Sequence, residues 1–362
     1  MDHLWVWVAF HGLIFSLLAL DLGVFHRHAR EVTMREAAGW SAMWIALSLS
    51  FNVGVYHFMG AQAGLEFLTG YLIEKALSVD NIFVFVLIFS YFGVPPRYQH
   101  RILFWGILGA LLLRGAMIFA GAFLIRQFHW VIYVFGGFLL FTGVRMAFHD
   151  EHAIEPEANP VIRLVRRLVP VTNRYHGQKF FTREPIGPGG ALRGVATPLF
   201  VVLLLVETTD IIFAVDSIPA IFAVTTNTFL VYTSNIFAIL GLRALYFLLA
   251  GVIQRFHYLQ LGLSVVLSFV GVKMLIADWY AVPIASSLGI IAAVLAISIV
   301  ASLVFPQPVD MPALPPDAPG AEPPVAPIEP SPDVAEVEAR EEGRLPPGDA
   351  TESQRARPDA DD

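Results

Sequence analysis

The chain has 362 residues, of which 56% are hydrophobic and only 15% charged, with a mean hydropathy of +0.64. Such a composition excludes a soluble globular domain and calls for several membrane spans. There is no cysteine, which excludes disulfides, thiolate metal sites and thiol redox chemistry. The formal net charge of -7 belongs to the tail, because residues 306–362 carry 14 Asp and Glu against 4 Arg.

Taken in chain order, hydrophobic runs at about 4–24, 38–57, 65–91, 102–124, 130–149, 196–222, 229–251, 258–276 and 283–305 predict nine transmembrane helices in an all-α polytopic protein. The first run has no basic flank and no small-residue cleavage site, so it is expected to stay as a helix. With the N-terminus outside, the loops at 25–37, 92–101, 150–194 and 253–257 would be cytoplasmic, and they carry thirteen Lys and Arg. The opposite loops carry one, Arg126. That excess predicts an outside N-terminus and an inside C-terminus. The long loop holds Val161, Ile162, Leu164, Val165, Leu168 and Val169 interleaved with Arg163, Arg166 and Arg167, the pattern of a short basic helix on an anionic leaflet. GPGG (187–190) reads as a turn, since no strand is expected before it to make a phosphate loop. The tail, with 14 prolines in its 57 residues, has too few large apolar groups to fold.

An internal repeat organises the middle. SVDNIF (78–83) aligns with AVDSIP (214–219), which sets Asp80 on Asp216 and Glu74 on Asp210. LLLRGAMIFAGAFLIRQFHW (111–130) matches LGLRALYFLLAGVIQRFHY (240–258), with Arg114 opposite Arg243, and GVRM (143–146) matches GVKM (271–274). Each copy is three helices, so the second must enter the membrane in the opposite sense. The segments expected are two helices in 1–64, the first repeat in 65–149, a cytoplasmic basic loop in 150–195, the inverted second repeat in 196–276, a last helix in 277–305 and the tail in 306–362.

Carboxylates inside such spans are costly, roughly 2.5–3.5 kcal/mol each on insertion scales, and so mark function. Five occur here, Glu74, Asp80, Glu207, Asp210 and Asp216, against three bases, Lys75, Arg114 and Arg243. Ion pairing of Glu74 or Asp80 with Arg114, and of Glu207 or Asp210 with Arg243, would lock helices and do nothing more. The surplus negative charge still calls for a cation or protons. Asp216 lies about 120° round from Asp210 on an unbroken helix, so Pro219 is expected to break the helix near 216–219 and turn Glu207, Asp210 and Asp216 into one cavity. Asp80 and Asp216 are then expected to meet at the repeat interface. With Asn81 and the hydroxyls of Thr208, Thr209 and Ser217 they would offer hard oxygen ligands, suited to Mn²⁺, Mg²⁺ or Ca²⁺. Lys75, Arg114, Arg243 and Asp21 are candidates for ion pairing or gating. Arg145 and Lys273 are expected to snorkel, Asn235 to join helices, and His149, Asp150, Glu151 and His152 to form plain surface.

ALDLGVFHR (19–27), EFLTGYLIEKALSVDNIFVFVLIFSYFGVPPRYQHRILFWGILGA (66–110), ATPLFVVLLLVETTDIIFAVDSIPAIFAVT (196–225) and VYTSNIFAILGLRALYFLLAGVIQRF (231–256) closely resemble the TerC family, named for tellurium resistance. The resemblance covers roughly residues 1–276. It implies a multi-pass protein of the bacterial inner membrane whose relatives look like manganese exporters. It also implies that Glu74, Asp80, Glu207, Asp210 and Asp216 carry Mn²⁺. Direct handling of tellurite is disfavoured, since surplus carboxylates repel an oxyanion.

The reading that follows is a transporter, not an enzyme, that exports divalent cations, Mn²⁺ first, against protons. Its partners are the lipid bilayer and the metal; neither a prosthetic group nor nucleic acid is expected. The rival is a membrane anchor for a tellurite- or stress-resistance complex, docking cytoplasmic stress-response proteins. An intramembrane aspartyl hydrolase built on Asp80 and Asp216 lacks its motif.

Overall fold

The computed structural model of the chain describes residues 4–25, 33–148, 163–164, 167, 169–172, 175–186, 191–250 and 257–305. All of them fall in one compact unit, Met1–Gly320. The tail, the acid- and histidine-bearing stretch 149–152 and most of the expected basic helix lie outside the described residues, as does the side chain of Asp21.

Among the described residues ten helices and one hairpin follow in order: α1 (Leu4–Phe25), α2 (Met34–Met59), α3 (Ala61–Tyr91), α4 (Pro96–Gln127), α5 (Val131–Phe148), β1 (Phe181–Ile186), β2 (Ala191–Ala196), α6 (Pro198–Phe222), α7 (Thr228–Leu240), α8 (Leu242–Leu249), α9 (His257–Leu275) and α10 (Ile284–Val304). Local chemistry sets their ends. Thr33 and Glu36 form a reciprocal capping box at the start of α2. Gly60, at φ 96°, makes the one-residue turn between α2 and α3 that a side chain would strain. Pro96 and Pro198 occupy first-turn positions, where a missing N–H costs nothing, and Asn227 caps α7 through Phe229 N–H.

Six of these helices are long and apolar enough to cross a membrane, and α7 with α8, bent by 40°, makes a seventh. Helix α3 falls outside that count because Glu66, Glu74, Lys75 and Asp80 interrupt its apolar run. The protein is thus a polytopic, mostly helical membrane protein, and each of the nine hydrophobic runs coincides with a helix or with the bent pair.

The loops gather at two ends. At one end Thr225 donates to Glu66 (2.6 Å), Arg126 to Thr228 (3.2 Å), and Tyr133 to Asp278. At the other, Tyr175 donates to the Phe92 carbonyl (2.6 Å), Tyr246 to Gln99 (2.9 Å), and Arg101 stacks on Phe180. Helix α3 therefore runs from the Glu66 end to the Phe92 end, and α6 runs back. The packing is reciprocal: α3 lies on α6 and α7, α4 on α6 and α7, and α5 pairs with α9. Helix α7 sits at the centre with every residue but Phe229 buried.

Two expectations are corrected. The fold is not purely helical: β1 and β2 pair antiparallel from Phe181↔Ala196 to Ile186↔Ala191, while GPGG (187–190), expected as a turn, lies outside the described residues. That hairpin escapes an apolar-periodicity reading because its strands alternate weakly and carry Pro185. Nor does Pro219 break α6, which runs unbroken through it. The proline sits a turn from the helix end and removes one bond, to the Val215 carbonyl. The break comes instead at Gly241, between α7 and α8.

Candidate functional site

The unbroken path of α6 decides which acids can meet. Seven residues fall about 20° short of two helical turns, so Ser217, not Asp216, shares the face of Asp210. The same spacing in α3 puts Asn81, not Asp80, on the face of Glu74. Those two faces are turned toward each other. Glu74, Asn81, Asp210 and Ser217 are each at most 3% exposed, while Asp80 and Asp216 are half-buried, about 120° round from them, and hold interactions of their own.

Arg114, 2% exposed, reaches from α4 between the two helices. Its Nε donates to Asp210 Oδ2 (3.0 Å) and its Nη2 to Asp210 Oδ1 (2.9 Å), a two-pronged pair. Its Nη1 donates to Glu74 Oε1 and to Ser217 Oγ (3.2 Å). The guanidinium thus bridges the two acids that the repeat alignment sets in equivalent positions. The ion-pairing alternative set Glu74 or Asp80 with Arg114 and Glu207 or Asp210 with Arg243; Arg114 takes Glu74 and also Asp210. Arg243 stands at the α7–α8 break, beside Trp44, His100 and Phe247.

The other candidates surround this bridge. Glu207, one turn before Asp210, packs against α4 at Gly109, where any Cβ would overlap its carboxylate. Its Oε2 and the Oε2 of Glu74 are buried without a hydrogen-bond partner. Asn81 Oδ1 and Ser78 Oγ are buried in the same condition. Lys75 donates to the Ala238 carbonyl (3.3 Å), near the C-terminal, electronegative end of α7. Thr208 and Thr209 return their hydroxyl protons to carbonyls of their own helix, at Leu204, Leu205 and Val206. The only space bordering Asp210 among the described cavities holds about 10 Å³, scarcely one water. Among the described residues no three His, Asp or Glu side chains form a ready-made metal cage. Arg114 stands between Glu74 and Asp210.

Two further residues stand out in the structure. Asn235 is 0% exposed, yet neither its Oδ1 nor its Nδ2 has a protein partner. It was expected to join helices, and no such bond is present. Glu66 was overlooked because it falls at the edge of an apolar run. It lines a cavity of about 630 Å³ with Gln62, Thr225, Asn227 and Lys273 at one end of the bundle. An acid at the second position of the predicted span 65–91 was the available signal.

Comparison with known proteins agrees with the polytopic architecture. The chain is 56% identical over 299 residues to an uncharacterized membrane protein of Myxococcus xanthus, covering 83% of this chain and 92% of that protein. It is 50% identical over 304 residues to a Salmonella typhi protein named "Putative membrane-bound redox modulator Alx", covering 82% and 92%. The Escherichia coli K12 protein of the same name is 49% identical over 304 residues, covering 82% and 93%. No solved structure matches. The family model described as "Integral membrane protein TerC family" matches residues 59–309, the stretch that carries every element from α3 to α10. The chain belongs to the TerC family of integral membrane proteins.

Proposed function

We propose that this protein is a secondary transporter that exports divalent metal cations, Mn²⁺ foremost, from the bacterial cytoplasm across the inner membrane. The observation that carries the reading is the buried meeting of Glu74 and Asp210, from two helices that cross in opposite senses, with one guanidinium between them. Glu207 adds a third carboxyl group one turn away, so the cluster holds more of them than one guanidinium pairs. Hard oxygen donors of this kind suit Mn²⁺, Mg²⁺ and Ca²⁺. Asp80 and Asp216, half-buried on the neighbouring faces, pass the ion or exchanged protons to and from that centre, with Asn81 as a neutral oxygen ligand.

The nine-span course with the N-terminus outside completes the reading, as does the inverted pair of three-helix repeats. The repeat is supported by the packing of α5 on α9. Aligning Gly143 with Gly271 also aligns Ser264 with Gly136. A Cβ on Gly143 would lie 2.8 Å from the Ser264 carbonyl oxygen, and one on Gly271 2.8 Å from the Gly136 carbonyl oxygen. One contact is the other's image. Inverted repeats of this kind accompany alternating access. The name of the Alx relatives brings a redox role to mind, but a chain with no cysteine has no thiol route to one.

The test is manganese tolerance of an exporter-deficient strain carrying Asp80→Asn, Asp216→Asn or Asp210→Asn, with membrane protein level measured alongside. Each variant should lose export while the first two keep normal levels. Wild-type tolerance from all three would defeat the reading and favour the membrane-anchor alternative.

A further inference from the structure

We propose that Arg114 is the tethered cation of the empty site: its guanidinium fills the place of the metal between Glu74 and Asp210, and the arriving metal displaces it. The inference rests on the transport reading above and adds how the site is kept between cargoes.

Three observations carry it. First, Arg114 makes four hydrogen bonds to three residues of two opposed helices, and the described cavity that borders Asp210 holds about 10 Å³, room for about one water. A site made to receive a cation is thus already closed on one. Secondly, the ligand shell is larger than the arginine uses. Glu74 Oε2 and Glu207 Oε2 are buried, accept no hydrogen bond and belong to carboxylates within a helical turn of the bridge. Buried polar atoms are nearly always satisfied, so oxygens left over beside a bound cation indicate a second occupant with a different reach. A divalent ion, which gathers six or more oxygens at 2.0–2.6 Å, can use them all, whereas the planar guanidinium cannot.

Thirdly, the displaced arginine has somewhere to go. Tyr232 of α7 meets α4 at Gly115, and Ile239 clusters with Ile107 and Ala110. Asn235 lies between these contacts along α7, as Arg114 does along α4. Its Oδ1 is an acceptor that no protein group uses, at a residue with no exposed surface. A guanidinium leaving Asp210 can donate there without losing all its partners. The exchange leaves no pair of buried carboxylates bare at any stage, as a bare pair would oppose both folding and the return of the empty carrier.

The experiment measures Mn²⁺ binding and thermal unfolding of the full chain in lipid nanodiscs, for wild type, Arg114→Gln, Arg114→Lys and the neutral triple variant Glu74→Gln/Asp210→Asn/Arg114→Gln. With its internal competitor gone, Arg114→Gln should bind Mn²⁺ at least tenfold more tightly than wild type. Mn²⁺ should raise its melting temperature more than that of wild type, and should leave the triple variant unmoved. Equal Mn²⁺ affinity in wild type and Arg114→Gln overturns the proposal. Should Arg114→Gln fail to fold, recovery by Mn²⁺ during expression supports it, and recovery only by neutralising Glu74 and Asp210 overturns it. If neither recovers it, Arg114→Lys decides: tighter binding than wild type supports the proposal, and equal binding overturns it. Counterflow of Mn²⁺ in wild-type proteoliposomes tests the transport reading separately. Its absence would end that reading, even if Arg114→Gln bound Mn²⁺ tightly.

Discussion

The α3–α6 contact and the α5–α9 contact both include apolar side chains, yet at their tightest points they are closed by different means. At Gly143 and Gly271, where α5 meets α9, there is no room for a side chain: a Cβ on Gly271 would sit 2.6 Å from the Leu140 nitrogen and one on Gly143 2.7 Å from the Ser268 nitrogen. Backbone lies on backbone, and dispersion with close fit does the work, as in membrane interfaces rich in small residues. Between α3 and α6 the helices are held by charge, through one arginine from a third helix. A close-packed seam has one arrangement and is costly to deform. An ionic bridge can exchange one cation for another at small net cost, because the desolvation of the acids is already incurred. The first contact is suited to be scaffold and the second to be machinery.

The sharpest way to break that contrast is to remove the bridge. Arg114→Leu, without metal, leaves two carboxylates buried and unpaired, and should destabilise the protein by about 3–5 kcal/mol. Adding Glu74→Gln and Asp210→Asn should return most of that loss, which thermal unfolding in nanodiscs will read directly.

The seam should respond differently. Gly271→Val forces a branched side chain onto the α5 backbone and should cost roughly 1–3 kcal/mol by overpacking. Neutralising any acid should not restore it, and Mn²⁺ affinity per folded molecule should stay at the wild-type value. Rescue of Gly271→Val by Mn²⁺ would mean that seam and site are a single mechanical unit.

A smaller effect is expected at the Glu66 end. Thr225→Val removes the 2.6 Å hydrogen bond to Glu66 and should cost about 0.5–1.5 kcal/mol, measured by the same unfolding assay.

The smallest is at Asp278. The hydrogen bond from Tyr133, and secondarily His129, holds this exposed carboxyl below its ordinary range. Its contribution to stability is therefore present above the ordinary aspartate range and fades as pH falls through the lowered value. Tyr133→Phe should move that fading back to ordinary aspartate pH, visible by NMR titration of Asp278, with little change in melting temperature at neutral pH.

Much of this architecture was legible in the residues. Apolar runs located every helix because lipid leaves a spanning backbone few ways to satisfy its hydrogen bonds, and the charges within those runs stood out by their expense. Helical spacing also showed that Asp216 and Asp210 cannot share a face of a straight helix. What misled was the remedy, a break at Pro219. Whether a proline bends a helix depends on how near the end it lies and what packs there, and neither is written in its neighbours. The β1–β2 hairpin was missed for a related reason, since short strands outside the membrane draw their order from pairing with each other.

The sequence by itself determined that the chain is a polytopic membrane protein, that Glu74, Asp80, Glu207, Asp210 and Asp216 are its costly groups, and that Arg114 is among the few bases able to meet them. These follow from composition and period, which are local. Only the tertiary structure decided that Glu74 and Asp210 are the pair that meets, that Arg114 serves both of them, and that Asn235 is buried with an unused amide. Partners more than a hundred residues apart are chosen by which helix faces pack together. That choice is a property of the whole bundle: helical spacing says which residues share a face, and packing says what the face will touch.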